Sequence, residues 1–218
     1  MIVRKIFLSW RPSPGSKRYI VGRLYRKANK TITFKYYPEN VEEAKKVGFI
    51  SYTEFPDINT LYTDGVLEIF ARRLTRNERN DRSNMLEFWS AEGKGYDAFD
   101  MLAMTQGWLT TDNFEFLADF YPKRHFQFVT DLAYTRSLEL PRGTIAEGDK
   151  LQFKFDRKNE VDCKAIRVFK DELFIGFIKQ KHCNFFHHLK RSWTTNLQVK
   201  AVDQNGVIRQ VFITVGDM

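Results

Sequence analysis

Apolar and polar positions alternate with a period of two through the first forty residues of the chain. The alternating runs are "IVRKIFLSW", "YIVGRLYR" and "TITFKYY", and the segments between them, "RPSPGSK" and "KANK", carry the Pro, Gly and Asn that favour turns. The pattern therefore predicts an antiparallel meander of three strands.

Apolar residues recur at helical spacing beyond this point. The segment "NVEEAKKVGF" has Asn40 as its predicted N-cap and places acids before lysines, the order that the helix dipole favours. In the next segment, "TDGVLEIFARRLTRNERND", Thr63 or Asp64 is available as a cap. Its apolar residues at helical intervals are Val66, Ile69, Phe70 and Leu74. The pieces "MLEFW" and "YDAFDMLAMTQGW" predict two more helices, the second ending near Gly107.

The chain becomes strand-rich again after "ADFYPKRHF", residues 118–126, whose Pro and charges suit a domain boundary. The later strand-like runs are "FQFVTDLAYT", "KLQFKF", "CKAIRVF", "ELFIGFI", "LQVKAV" and "VIRQVFITV". The segment "QKHCNFFHHLKRSW" interrupts them and predicts a helix with Phe185, Phe186 and Leu189 on one face. We therefore predict an α+β protein. Residues 1–120 form an antiparallel sheet followed by helices, and residues 125–218 form a small β-barrel with one helix.

Composition narrows the class of protein. With 218 residues, of which 43% are hydrophobic, the chain is long enough for two small cores. A formal net charge of +8 suits a polyanionic partner, although many proteins without one carry a similar excess. Two cysteines, Cys163 and Cys183, do not make a disulfide framework, and free thiols fit a reducing compartment. Because the start "MIVRKIFLSW" is neither a signal-peptide core nor long enough to span a bilayer, we predict a cytoplasmic protein without membrane contact. We also predict no cofactor.

A longer pattern in the second half resembles the HIRAN domain, a small β-barrel module found alone in bacteria and phages and joined to helicase-like chromatin remodellers. The resemblance runs from "GDKL" at 148–151 through "NEVDCKAIRV" at 159–168 to "GFI" at 176–178. It implies an OB- or SH3-like barrel whose groove binds single-stranded DNA, in eukaryotic members its 3′ end. We therefore expect a non-enzymatic nucleic-acid-binding protein.

The first half is similar to the N-terminal subdomain of HipA-type toxin kinases. The matching segments are "VGRL" at 21–24, "ITFKY" at 32–36, "GVLEIFARRLTRNERND" at 65–81 and "YDAFDMLAMTQGWLTTDNFEFL" at 96–117. HipA-type proteins continue into a kinase fold, whereas this sequence has no Gly-rich phosphate loop and no "H-x-D" segment. The similarity implies that the first domain contacts a protein. An alternative function is then a toxin-antitoxin-type regulator that binds a HipA-like kinase.

Candidate residues for the DNA groove follow from the chemistry that a strand end requires. Asp162 is the predicted acceptor for a terminal 3′-hydroxyl, since a carboxylate repels a phosphate in that place, and Asn159 shares its segment. HIRAN domains commonly carry an aromatic residue before this Asp, where Val161 stands here. Tyr134 is therefore the predicted stacking platform, with Phe177 as a second ring. The predicted phosphate contacts are Arg136, Lys179 and Lys181.

Structural alternatives stand beside these functional assignments. Asn159 and Asp162 also suit a turn in which each side chain accepts hydrogen bonds from nearby backbone amides. Tyr134 and Phe177 also suit the core of the barrel.

Metal and catalytic sites are weaker alternatives. Cys183 and His187 stand at i and i+4, a spacing used in helical zinc sites, but a structural site needs four ligands and no second pair is near. The acids in "DRSNMLEFW" and "TTDNFE" have the spacing of helix caps and solvated faces. We predict no metal site and no catalytic residue, and keep a nuclease or hydrolase accessory subunit as a further alternative.

Overall fold

The computed structural model describes residues 3–74, 79–109, 112–190 and 193–216, with the backbone alone for residues 79–83. The chain forms two compact units, Met1–Asp119 and Phe120–Met218, each with its own antiparallel sheet. Short helices accompany the sheets. The fold class is therefore α+β, as the two periodicities predict.

The first unit contains a five-stranded sheet of order β4-β3-β2-β1-β5. Its strands are β1 (Lys5–Trp10), β2 (Tyr19–Arg26), β3 (Ile32–Tyr36), β4 (Leu61–Tyr62) and β5 (Phe114–Ala118). The first three are the predicted meander, with antiparallel pairing between neighbours. The sequence pattern missed β5, which runs antiparallel to β1 and covers its edge from Ile6 to Trp10.

The described helices of the first unit are α1 (Pro38–Lys45), α2 (Val66–Ala71), α3 (Arg79–Phe88) and α4 (Ala98–Met104). Two of the predicted caps are wrong. The helix α1 begins at Pro38, whose fixed φ suits a first turn, and Asn40 lies inside it with its amide donating to a carbonyl of β2 at 2.8 Å. The N-cap of α2 is Gly65 in the left-handed conformation, rather than Thr63 or Asp64.

Aromatic side chains fill the core of the first unit. Phe34 and Phe70 are fully buried and meet edge to face, with 5.1 Å between ring centroids. The Arg73 guanidinium lies 5.2 Å from the ring of Phe116 and donates two hydrogen bonds to Asp112, at 2.6 and 2.8 Å. Asp112, predicted as a turn or cap residue, accepts the Phe114 N–H at 3.1 Å as a turn residue does. It also neutralises a buried cation that is far away in sequence.

The second unit contains a six-stranded sheet of order β6-β11-β10-β7-β8-β9 that curls into a half-barrel. Its strands are β6 (Gln127–Asp131), β7 (Lys150–Phe155), β8 (Ile166–Lys170), β9 (Leu173–Phe177), β10 (Asn196–Asn205) and β11 (Val207–Gly216). All six correspond to predicted runs. The strands β6 and β9 are the two edges of the sheet. Ala133, just after β6, and Phe177 of β9 form a bridge with hydrogen bonds of 2.8 and 2.9 Å, and this bridge connects the two edges.

The predicted helix of the second unit is α5 (Cys183–His187). Its Phe185 and Phe186 are both buried, the first against Phe128 of β6 and the second against Phe153 of β7. The apolar face of α5 thus fills the hollow of the curled sheet. Among the residues that the structure describes, every helix is too short or too polar to cross a membrane.

Candidate nucleic-acid interface

Tyr134 presents an exposed ring where the chain leaves β6 and enters a 3-10 turn, Thr135–Leu138. Its side chain is 56% exposed, and its φ of 71° is uncommon for a residue other than glycine. The ring packs edge-on against Phe177, with 6.0 Å between centroids. The Tyr134 ring therefore lies on the surface and not in the core, and it packs on Phe177, which is half-buried.

The ring of Phe177 begins a line of aromatic contacts along the outer face of β8 and β9. Phe177 meets Phe174 at 5.0 Å, and Phe174 meets Phe169 at 5.8 Å. We call Tyr134, Phe177, Phe174 and Phe169 the aromatic row. The pairing register places Val168 opposite Gly176 but Phe169 opposite Phe174, so one extra residue bulges from β9. This bulge is why two rings three residues apart share one face.

Two cations lie on the same face as the aromatic row. Lys154, Arg167 and Phe177 are cross-strand neighbours in β7, β8 and β9. The Arg167 guanidinium lies 4.6 Å from the centroid of Phe174, and the Lys154 ammonium lies 5.1 Å from that of Phe169. Neither cation forms an ion pair with a carboxylate of any described residue. Both therefore keep their charge available to an anion that lies along the rings.

Sequence reasoning missed four members of this surface: Phe169, Phe174, Arg167 and Lys154. A signal was present, because alternation along "IRVFK" places Arg167 and Phe169 on one face of β8. The pairing of β8 with β9 and the bulge between them were needed to add Phe174.

Asn159 and Asp162 build the turn that leads into β8. The Asn159 side-chain oxygen accepts the backbone N–H groups of Val161 and Asp162, both at 3.0 Å. The Asp162 Oδ1 accepts the N–H of Lys164 at 2.8 Å, and the Asp162 carbonyl accepts that of Ala165. The turn interpretation therefore describes both side chains. The second carboxylate oxygen of Asp162 receives no hydrogen bond within the described ranges.

Lys179 lies in the interior, contrary to its predicted place among the phosphate contacts. Its side chain is 2% exposed and forms an ion pair with Asp131, whose other oxygen accepts a hydrogen bond from Gln210 at 3.0 Å. A phosphate at the surface cannot reach a cation that is enclosed in this way. The other two predicted cations, Arg136 and Lys181, are half-buried.

Cys183 and His187 lie on α5 but turn to different partners. Cys183 is 1% exposed, and its thiol donates to the Ile178 carbonyl over 3.6 Å. Burial, and then the nearby Asp162 carboxylate, raise the thiol pKa to about 12. The His187 Nε2 lies 3.0 Å from the Lys164 carbonyl oxygen. Within the described part of the chain, no three His, Cys, Asp or Glu side chains gather in a group able to hold a metal ion.

Comparison with known proteins leaves the family of this chain open. No protein-family model matches it, and no curated protein matches it. The crystal structure of the HIRAN domain of human HLTF is similar to part of this chain, with 14% sequence identity and a TM-score of 0.32. The similarity covers 41% of this chain and 74% of the HLTF domain chain. A likeness at this level does not assign a function. The similarity of the first half to HipA-type kinases finds no support in these comparisons.

Proposed function

We propose that the second unit binds single-stranded nucleic acid across the aromatic row, without catalysing a reaction. The observation that carries this proposal is that partly exposed rings and two cations share one sheet face. Tyr134, Phe174 and Phe177 supply the accessible π surfaces, and Arg167 and Lys154 supply the positive charge. Sequence-tolerant binding of single strands combines these two elements.

The spacing of the rings suits an extended strand. Successive centroids lie 6.0 and 5.0 Å apart from Tyr134 through Phe177 to Phe174. These distances exceed the rise of about 3.4 Å per nucleotide in a stacked strand. Bases on this surface would stack on protein rings, which favours a single strand, because its bases are unpaired and can separate from one another.

Recognition of a 3′ end is the finer part of the proposal. The resemblance to HIRAN domains implies Asp162 as the acceptor of a terminal hydroxyl. Its Oδ1 is held by the turn, so the role falls to Oδ2. A strand ending in a 3′-phosphate would then bind more weakly than one ending in a hydroxyl, because two anions would face each other.

The experiment is a titration of labelled oligothymidylate, with free or phosphorylated 3′ ends, against the full chain and two variants. We expect Tyr134→Ala to weaken binding by about tenfold, since stacking contributes roughly 1 to 3 kcal/mol per base. The control is Tyr25→Ala, which removes a 40% exposed ring from the first unit. Equal affinity of the two tyrosine variants for the strand would contradict the proposal, and so would negligible binding by the unmodified chain.

A further inference from the structure

A second surface of the second unit gathers rings and cations around a cleft of about 300 Å³. It lies at the start of β6, whereas Tyr134 follows the end of that strand. The strand β6, whose five residues span about 16 Å at about 3.3 Å per residue, lies between the two surfaces. The lining includes cationic and aromatic side chains: Lys123, Arg124, His125, Phe126, Phe185 and Trp193.

The floor of the cleft is aromatic. Phe126 and Phe185 are buried, with 6.2 Å between their centroids, and form an apolar base. Trp193 is half-buried and leaves part of its indole accessible at the cleft. The Lys190 ammonium lies 5.3 Å from the centroid of that ring. The cleft therefore combines an accessible indole with a further cation beside it.

The rim of the cleft is cationic. Lys123, Arg124 and His125 are all exposed, and none forms an ion pair with a described carboxylate. His125 has a φ of 56°, so the chain holds this rim in a conformation uncommon for a residue other than glycine. No Asp or Glu belongs to the described lining. Uncompensated positive charge over an apolar floor favours a ligand that is anionic at one end and aromatic at the other.

We infer that this cleft binds a nucleoside phosphate, with the base against Trp193 and the phosphate between Lys123 and Arg124. The volume is at the lower end of the range for small-molecule sites, about 300 to 1,000 Å³, which suits one nucleotide. The nucleotide is either free or part of a strand, and the chemistry of recognition is the same in both cases. Because the site uses no residue of the aromatic row, this inference does not depend on the function proposed above.

The experiment is calorimetric titration of the full chain with AMP, adenosine and inorganic phosphate. We expect AMP to bind more tightly than either fragment, because only AMP engages both floor and rim. The double variant Lys123→Ala/Arg124→Ala should weaken AMP binding at least about tenfold, as expected for the loss of two charge-assisted contacts.

The matched control is Arg23→Ala/Lys35→Ala, which removes one Arg and one Lys from exposed, cross-strand positions in the first unit. It should leave AMP affinity unchanged. If AMP fails to bind but a short 5′-phosphorylated oligothymidylate binds and loses affinity in the Lys123/Arg124 variant, the nucleotide comes from a strand and the site stands. Failure of both probes, or equal losses in the two double variants, overturns the inference.

Discussion

Cys163 and Cys183 place the same functional group in two different environments. Cys163 is exposed in the turn before β8, whereas Cys183 is 1% exposed and hydrogen-bonded to a backbone carbonyl. Thiolate, not thiol, is the reactive species, and the buried thiol has its pKa raised to about 12. Burial therefore suppresses both access and ionisation at Cys183.

We expect iodoacetamide at about pH 8 to modify Cys163 rapidly and to leave Cys183 unmodified in the folded chain. Peptide mass spectrometry after a time course measures the two sites separately. In denaturant both cysteines should react, which is the internal control for detection. Prompt modification of Cys183 under native conditions would show that α5 opens or that its thiol is not buried.

Gly176 allows the two edges of the curled sheet of the second unit to meet. It has a φ of 141°, and a Cβ there would lie 2.7 Å from the Ala133 carbonyl oxygen and 2.8 Å from the Thr135 hydroxyl. Both atoms belong to the segment that bridges to Phe177. The missing side chain lets β9 approach the end of β6 closely, and this approach holds Tyr134 against Phe177.

Gly176→Ala should therefore destabilise the second unit by about 2 kcal/mol more than Gly148→Ala, because a collision adds to the backbone strain. Gly148 is a matched control, with a φ of 86° and no atom within 4 Å of an added Cβ. Urea unfolding of the two variants gives the free energies. Equal stabilities would mean that the bridge between Ala133 and Phe177 tolerates the extra methyl group.

On the scale of the whole molecule, the net charge of +8 divides into +2 for the first unit and +6 for the second. The second unit contains 17 Lys and Arg against 11 Asp and Glu, which is no polybasic arm. Long-range attraction to a polyanion is therefore modest. Affinity in the proposed function must come from the few cations that stand beside the aromatic row.

The salt dependence of strand binding tests this distribution of charge. With two or three phosphate contacts, the logarithm of the binding constant should fall with the logarithm of the salt concentration at a slope of about −2. Each contact contributes about −0.7 for a single strand. Lys154→Gln should reduce the magnitude of this slope by about 0.7, whereas Lys35→Gln in the first unit should not change it. Binding constants at several salt concentrations give the slope for each variant. An unchanged slope for Lys154→Gln would remove that lysine from the interface.

The amino-acid sequence by itself determined the local elements. Alternation with a period of two predicted the meander and the six strands of the second unit, because successive side chains of a strand face opposite sides. Helical spacing predicted α5 with its buried Phe185 and Phe186. The resemblance to HIRAN domains, rather than periodicity, indicated Tyr134 as a candidate ring, since the aromatic residue that it implies before Asp162 is replaced here by Val161.

Only the tertiary structure decided which of these residues meet. The edge strand β5, the ion pair of Lys179 with Asp131 and the joining of Phe174 to Phe177 each depend on pairing between distant segments. A one-residue bulge moves the side chains beyond it to the other face of the strand. Lysine is usually a surface residue, but the surrounding strands bury it when the sheet encloses it. These contacts form only when distant segments assemble into the sheet, so the local periodicity of the sequence does not predict them.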